Sequence, residues 1–244
     1  MPESMPESMP GSRSERNQDD VPEHRWYRRL RAERPELFAN PVDGLIEIVS
    51  DEAAVAGLER DCRERAEPGR PESWDRTGVL YQDRYLSLVR DPVRFPDGRL
   101  APYIRLVPRQ VGGVAVLPRC GQDVVLLRHF RHATRSWHLE IPRGFTEPGE
   151  EPAQAARREL TEEIGVEPRT LERLGAFHPD TGVSADRVHL FLATIDAPGE
   201  PQVAEGIAST LRVPWARLEA MIGAGEITDS FTIAAAYRLA LRAG

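Results

Sequence analysis

Apolar positions Trp26, Tyr27, Leu30 and Leu37 recur at near-helical spacing between His24 and Phe38, and Pro35 interrupts them, so the pattern predicts a short amphipathic helix. Leu45 to Val49 reads as a short strand. Asp51 then stands as the N-cap of a helix running to about Ala66, with Val55, Leu58 and Cys62 on one face. The following PGRPESWDR reads as linker. Beyond Thr77 the period shortens to apolar runs at Tyr85–Val89, Tyr103–Val107, Val114–Leu117 and Val124–Phe130. Pro96-Asp97-Gly98 marks a turn between the first two, because proline presets one dihedral and glycine accepts a positive one. A helix is expected over Pro152–Ile164, strands at Leu171–Phe177, Val188–Ile195 and Leu211–Val213, and closing helices at Trp215–Ile222 and Thr228–Ala243. Strands, central helix, strands and terminal helices in this order predict an α/β sandwich with a mixed sheet.

Ahead of these elements, residues 1–22 form a repeated polar stretch with too little apolar surface to offset its ordering entropy, and we expect a disordered tail. Residues 23–76 then read as a small N-terminal α/β extension with its linker, and 77–244 as the main domain, whose strands within 77–110 lead into it. Composition agrees with an ordinary globular chain, at 40% hydrophobic and 29% charged residues. The net charge of −7 argues against a nucleic-acid partner, since phosphate backbones require a basic face. Every one of the 32 basic residues is arginine, which excludes a P-loop lysine, a Schiff-base lysine and a Ser-Lys dyad. Cys62 and Cys120 are too far apart in sequence for a metal-spaced pair and suit a reducing cytoplasm. No apolar run reaches the roughly 18 residues of a membrane span, and no signal-peptide pattern opens the chain, so the expectation is a cytoplasmic protein with no membrane partner.

The chemistry concentrates in GFTEPGEEPAQAARRELTEEIGV, residues 144–166. Pro152 suits a first helical turn and Gly165 a C-terminal cap, so the helix is bounded by its own residues. On it Glu159, Glu162 and Glu163 fall at i, i+3 and i+4, on one face, while Ala153, Ala156 and Leu160 offer another face to a sheet. A solvated acidic face is the ordinary reading of such a run. Three clustered carboxylates otherwise repel unless a cation neutralises them, and hard oxygen ligands favour Mg²⁺, with Mn²⁺ as an alternative.

The same segment resembles the Nudix box: glycine, five residues, glutamate, seven residues, then Arg-Glu-aliphatic-any-Glu-Glu-any-Gly-aliphatic. Gly144, Glu150, Arg158, Glu159, Leu160, Glu162, Glu163, Gly165 and Val166 fill each specified position. Chance agreement at a given start is on the order of one in ten million. The resemblance implies a Nudix α/β/α sandwich and hydrolysis of a diphosphate bond in a nucleoside diphosphate derivative. It also implies that Glu159, Glu162 and Glu163 hold the metal with the backbone carbonyl of Arg143, while Arg158 pairs with Glu150 as part of the structural frame. LLRHFRHATRSWHLEIPRG, GEITDSFTIAAAYRLAL and the strands before them are similar to the ADP-ribose pyrophosphatase branch, which implies ADP-ribose or a related nucleotide sugar as substrate and a homodimer with residues 77–110 as its arm.

Around the box, Arg128 and Arg131 suit phosphate oxygens, but an alternating strand points them to opposite faces, and we expect Arg131 to reach the site. Phe130 and Trp137 are candidates for stacking on a base, or else core. Glu205 stands where relatives often carry an acid that binds metal or activates water, the alternative being an exposed loop residue. Gly182, in HPDTGVS, permits a close backbone approach to substrate or simply a turn. That segment departs from the branch: its proline is usually about fifteen residues beyond the box, a position held here by Thr181, with Pro179 two residues early. Two further readings are a nucleotide-sensing domain without catalysis, which usually lacks the glutamates kept here, and a tailoring hydrolase for an unusual phosphorylated metabolite.

Overall fold

The computed structural model describes residues 22–69, 71–109, 112–201 and 203–243. Apart from Pro22, the expected tail lies outside them. The described residues fall into two compact units, one drawn from within Met1–Leu80 and Val89–Tyr103 and the other from within Tyr81–Leu88 and Ile104–Gly244. The stretch 77–110, read as the leading part of the main domain, is thus divided between them.

In the first unit α1 (Pro22–Glu33) buries Tyr27 and Leu30, and Pro35 ends the pattern by converting its continuation into a 3-10 turn at Pro35–Leu37. Tyr27 meets Phe38 edge to face, with ring centroids 5.3 Å apart. β1 is short (Glu47–Ile48), and α2 (Glu52–Glu64) follows, capped where Asp51 Oδ1 accepts the Ala54 N–H at 2.8 Å. Because this cap is exposed and makes one bond to an orphan helical donor, Asp51→Ala should cost about 1 kcal/mol of the unit's stability, read as a shift of its denaturation midpoint. The expected linker is more ordered than its composition suggests: Glu72–Asp75 forms a 3-10 turn, and beyond it buried Thr77 donates through N–H and Oγ to Glu59 at 2.7 and 2.8 Å.

β2 (Gly78–Gln82), β3 (Leu86–Arg94) and β4 (Leu100–Pro108) form a sheet of order β1-β3-β2 with β4 also on β3. The turn expected at Pro96-Asp97-Gly98 is present, with Gly98 at φ 82° donating to Phe95 O at 2.9 Å.

The second unit is built on β5 (Gly113–Cys120), β6 (Asp123–Arg131), β7 (Ser136–Glu140), β8 (Arg143–Phe145), α3 (Pro152–Ile164), β9 (Thr170–Phe177), β10 (Val188–Thr194), β11 (Ile207–Pro214), α4 (Trp215–Gly223) and α5 (Ser230–Ala243). Its sheet has the order β11-β6-β5-β10-β9, with β7 on β6 and β8 on β5; β10 and β5 run parallel and the other pairs antiparallel, so the sheet is mixed. Strand alternation sorts the core. Val114, Val116, Val125, Leu127, Phe191 and Ala193 pack with Ala155, Ala156, Leu160 and Ile164 of α3. Their neighbours Ala115, Leu117, Val124, Leu126, Leu190 and Leu192 pack with Leu218, Met221, Ala235 and Ala236 of α4 and α5. The result is the expected helix, sheet, helix layering. One detail differs: Ala153 is exposed and Ala155 takes its place against the sheet, because the buried stripe is set by Leu160 and Ile164 one turn onward.

Candidate active site

β8 is only three residues long, yet it fixes the loop that faces the acidic helix. Gly113, Val114 and Ala115 of β5 stand opposite Phe145, Gly144 and Arg143. Glycine at 144 leaves room for the Glu159 carboxylate, which a Cβ there would displace from its place over the strand. The Arg143 N–H donates to Glu163 Oε2 at 3.0 Å, which ties strand to helix. The helix ends where Gly165 adopts φ 62° and ψ 29° and its N–H reaches Thr161 O at 3.0 Å.

The three box glutamates do not share one environment. Glu159 and Glu163, four residues apart, turn inward and are buried, whereas Glu162 stays at the rim with 47% of its side chain exposed. Burial pushes the Glu163 carboxyl up to about 8, helped by the charge of Glu159. Burial also raises Glu159, against the pull of Arg158, and Glu205 and Glu162 add to the rise. Arg158 donates through Nε and Nη2 to the two Glu150 oxygens, each at 3.1 Å, and through Nη2 to Phe145 O at 2.8 Å. Its Nη1 bridges Glu159 at 2.8 Å and Glu162 at 2.9 Å. Glu150, held below the usual carboxylate range by Arg158, also accepts the Glu147 N–H at 2.8 Å.

Arg158, Glu159, Glu162 and Glu163 line a cleft of about 440 Å³ that also takes in Tyr85, His129, Arg131, Arg143, Asp186, Glu205 and Phe231. Glu205 ends a 3-10 turn (Val203–Glu205) ahead of β11, and Gly206, at φ 90°, turns its carbonyl to the Phe130 N–H at 3.0 Å. The two candidate phosphate arginines point to opposite faces of β6, as strand alternation leads one to expect. Arg131 faces the cleft, while Arg128 lies over the Trp137 ring, 3.9 Å from its centroid, away from the cleft lining. Phe130 shares the Arg128 face and packs edge to face on Trp137 at 5.4 Å, so it too is absent from the lining. Gly182 is likewise outside it, in an exposed turn where its N–H meets Asp180 Oδ1 at 2.9 Å.

Sequence reasoning missed the buried acid behind Arg131. Glu140 is 1% exposed and accepts from Arg131 through both carboxylate oxygens, while His129 Nδ1 stands 3.0 Å from Glu140 Oε1. Burial, and Arg131 beside it, lower the His129 pKa, which keeps the imidazole neutral under this ion pair near pH 7. The acid of HLEIPRG was the available signal, but its partner follows from the pairing of β6 with β7, where Leu127 stands opposite Glu140.

Among the described residues no group of three acidic, histidine or cysteine side chains stands ready to surround a metal ion. Glu162 sits at the rim, bridged to Glu159 by Arg158 Nη1, and the inward pair is Glu159 with Glu163. That pair still fits a hard cation: two buried carboxylates repel each other, their donors are all oxygen, and Glu162 and Glu205 line the same cleft.

Residues 108–233 match the NUDIX domain family, and the chain belongs to it. An ADP-ribose pyrophosphatase of Bacillus subtilis is 32% identical over 115 residues, 47% of this chain and 61% of that protein. The ADP-ribose pyrophosphatase of Mycobacterium tuberculosis is 30% identical over 161 residues, covering 64% of this chain and 77% of the relative. An ADP-sugar pyrophosphatase of Mus musculus is 33% identical over 130 residues, with 49% and 59% coverage. The chain thus spans about three fifths of the Bacillus subtilis protein's length. A solved ADP compounds hydrolase superposes with a TM-score of 0.59 over 67% of this chain and 89% of its own, at 20% identity, a likeness of fold. No helix among the described residues is long and apolar enough to cross a membrane.

Proposed function

We propose that this protein hydrolyses the diphosphate bond of ADP-ribose or a related nucleotide sugar, releasing a nucleoside monophosphate and a sugar phosphate. The observation that carries this reading is the buried Glu159–Glu163 pair set against the Gly144 loop in a cleft that also presents Arg131 and Glu205. Relatives named for ADP-ribose and ADP-sugar cleavage support the substrate class. Glu159, Glu162 and Glu163, with the Arg143 carbonyl, would hold Mg²⁺, or Mn²⁺ in its place. When bound, the ion supplies charge neutralisation at the phosphoryl oxygens and a more acidic water.

The chain's own residues do the rest. Arg131, braced by Glu140, orients a phosphate oxygen; Arg158 and Glu150 keep the loop on the helix; Glu205 is a metal ligand or the base that takes the water's proton. Arg128, Phe130 and Gly182 lie outside the cleft lining, and this reading gives them no role.

In the same reading residues 23–76 are an N-terminal extension to a catalytic domain over 77–244, and the protein works in the cytosol as a homodimer through its 77–110 arm. Sedimentation equilibrium returning the mass of a single chain would overturn the dimer.

Incubation with Mg²⁺ and a panel of ADP-ribose, GDP-mannose, UDP-glucose, NADH and diadenosine polyphosphates should release AMP from ADP-ribose in preference to the others, read by chromatography. Cleavage confined to the dinucleoside polyphosphates would overturn the substrate class, and silence across the panel with metal bound would overturn the catalytic reading.

A further inference from the structure

Arg131, the expected phosphate clamp, is partly committed: its Nε and Nη2 both go to Glu140. A second arginine in the same cleft is not. Arg143 lies on β8 with its backbone N–H on Glu163, and its guanidinium carbon sits 4.3 Å from the centroid of the Phe231 ring. Phe231 is fixed at the start of α5. There Asp229 Oδ2 accepts the Thr232 N–H and hydroxyl at 2.8 and 2.7 Å, and Thr232 Oγ1 accepts the Ile141 N–H at 3.0 Å. Among the described residues the Arg143 guanidinium makes no hydrogen bond and no ion pair, and its Nε is sealed from water without a partner. Glu140, Asp229 and Glu163 are near enough to act on it by charge, as is Arg131, yet no carboxylate closes on it.

Five planar donors held over a ring in a cleft, with no protein acceptor, describe a seat kept for an anion. Stacking on Phe231 sets the plane of the fork, and the short strand sets its position, so little freedom is lost when an acceptor arrives.

We propose that Arg143 is the second anion seat of the cleft and takes phosphoryl oxygens of the diphosphate substrate, with Arg131 as its neighbour. This rests on the proposed function, but the two can fail separately. Its contribution is to binding in ground and transition states alike, so it should appear in KM and leave kcat largely alone.

The test uses the full-length chain, with inorganic pyrophosphate as the probe in calorimetry and ADP-ribose as the substrate in kinetics. Arg143→Ala should weaken pyrophosphate binding about 10- to 100-fold and raise KM by a similar factor, with kcat within about threefold, the range expected for losing a charge-assisted pair. Arg143→Lys should recover part of the affinity, because it restores the charge without the fork. The melting temperature of Arg143→Lys should stay close to wild type, and that of Arg143→Ala should fall by no more than the loss of the Phe231 stack allows, since the guanidinium holds no protein acceptor; if Arg143→Ala does not fold, Arg143→Lys and Arg143→Gln carry the comparison. Pyrophosphate affinity and KM unchanged in the variants would overturn the seat, whatever the enzyme hydrolyses. Pyrophosphate binding that depends on Arg143, in a protein that cleaves none of the panel, would uphold the seat and remove the proposed reaction.

Discussion

Replacing Glu163 with glutamine should lower turnover by several orders of magnitude and leave the fold intact. The carboxylate is buried where it accepts the Arg143 N–H, so glutamine keeps the shape and an acceptor while removing the charge that would hold a divalent ion. Glu159→Gln should behave in the same way, since Glu159 is the other inward carboxylate of the pair. Steady-state rates with saturating Mg²⁺, beside a melting curve for each variant, make the comparison; full activity in both would remove this helix from the chemistry.

A pH signature accompanies it. In metal-free protein Glu163 titrates near 8 when folded, against the usual 4.5, so the folded state holds a proton that the unfolded chain releases. The stability this group contributes is therefore fully present below about pH 4.5 and is lost as pH rises through about 8. Melting temperatures in chelator should fall across that window, and Glu163→Gln should flatten the fall. An unchanged slope in the variant would show that other groups set it.

Glu140→Ala should be the most destabilising single change in the site. The carboxylate is 1% exposed and joined to Arg131 by two hydrogen bonds, with His129 at 3.0 Å. Truncating one partner of a buried pair typically costs about 3 to 5 kcal/mol, because the other charge is left without compensation. The lower figure, about 3 kcal/mol, is expected, since Arg131 is 27% exposed and water in the cleft relieves part of the loss. Chemical denaturation should show the midpoint falling, and the KM for ADP-ribose should rise as Arg131 loses its brace. Glu140→Gln should recover part of both effects. A midpoint equal to wild type would mean that the pair contributes nothing net.

Much of the architecture was legible because it depends on local rules. Pro152, the apolar stripe and Gly165 specify α3 without reference to the remainder of the chain, and the expected bounds Pro152–Ile164 are the observed ones. Asp51 announces its helix in the same way. The short strands β7 and β8 were not read, because the apolar runs there are only one or two residues long and their identity rests on pairing with β6 and β5. Phe130 illustrates the limit on the site itself: ring chemistry nominated it, and alternation along β6 puts it with Arg128 on the Trp137 side.

By itself, then, the sequence determined which residues sit together on the acidic helix and where that helix begins and ends, because helical periodicity and capping act within a few residues. Tertiary structure alone decided the rest. It buried Glu159 and Glu163 while leaving Glu162 at the rim, placed Glu140 and His129 under Arg131, and left Arg143 on Phe231 without an acceptor. Each of these depends on where strands and helices meet and on which charges burial leaves together, and neither is encoded in the spacing of neighbouring residues.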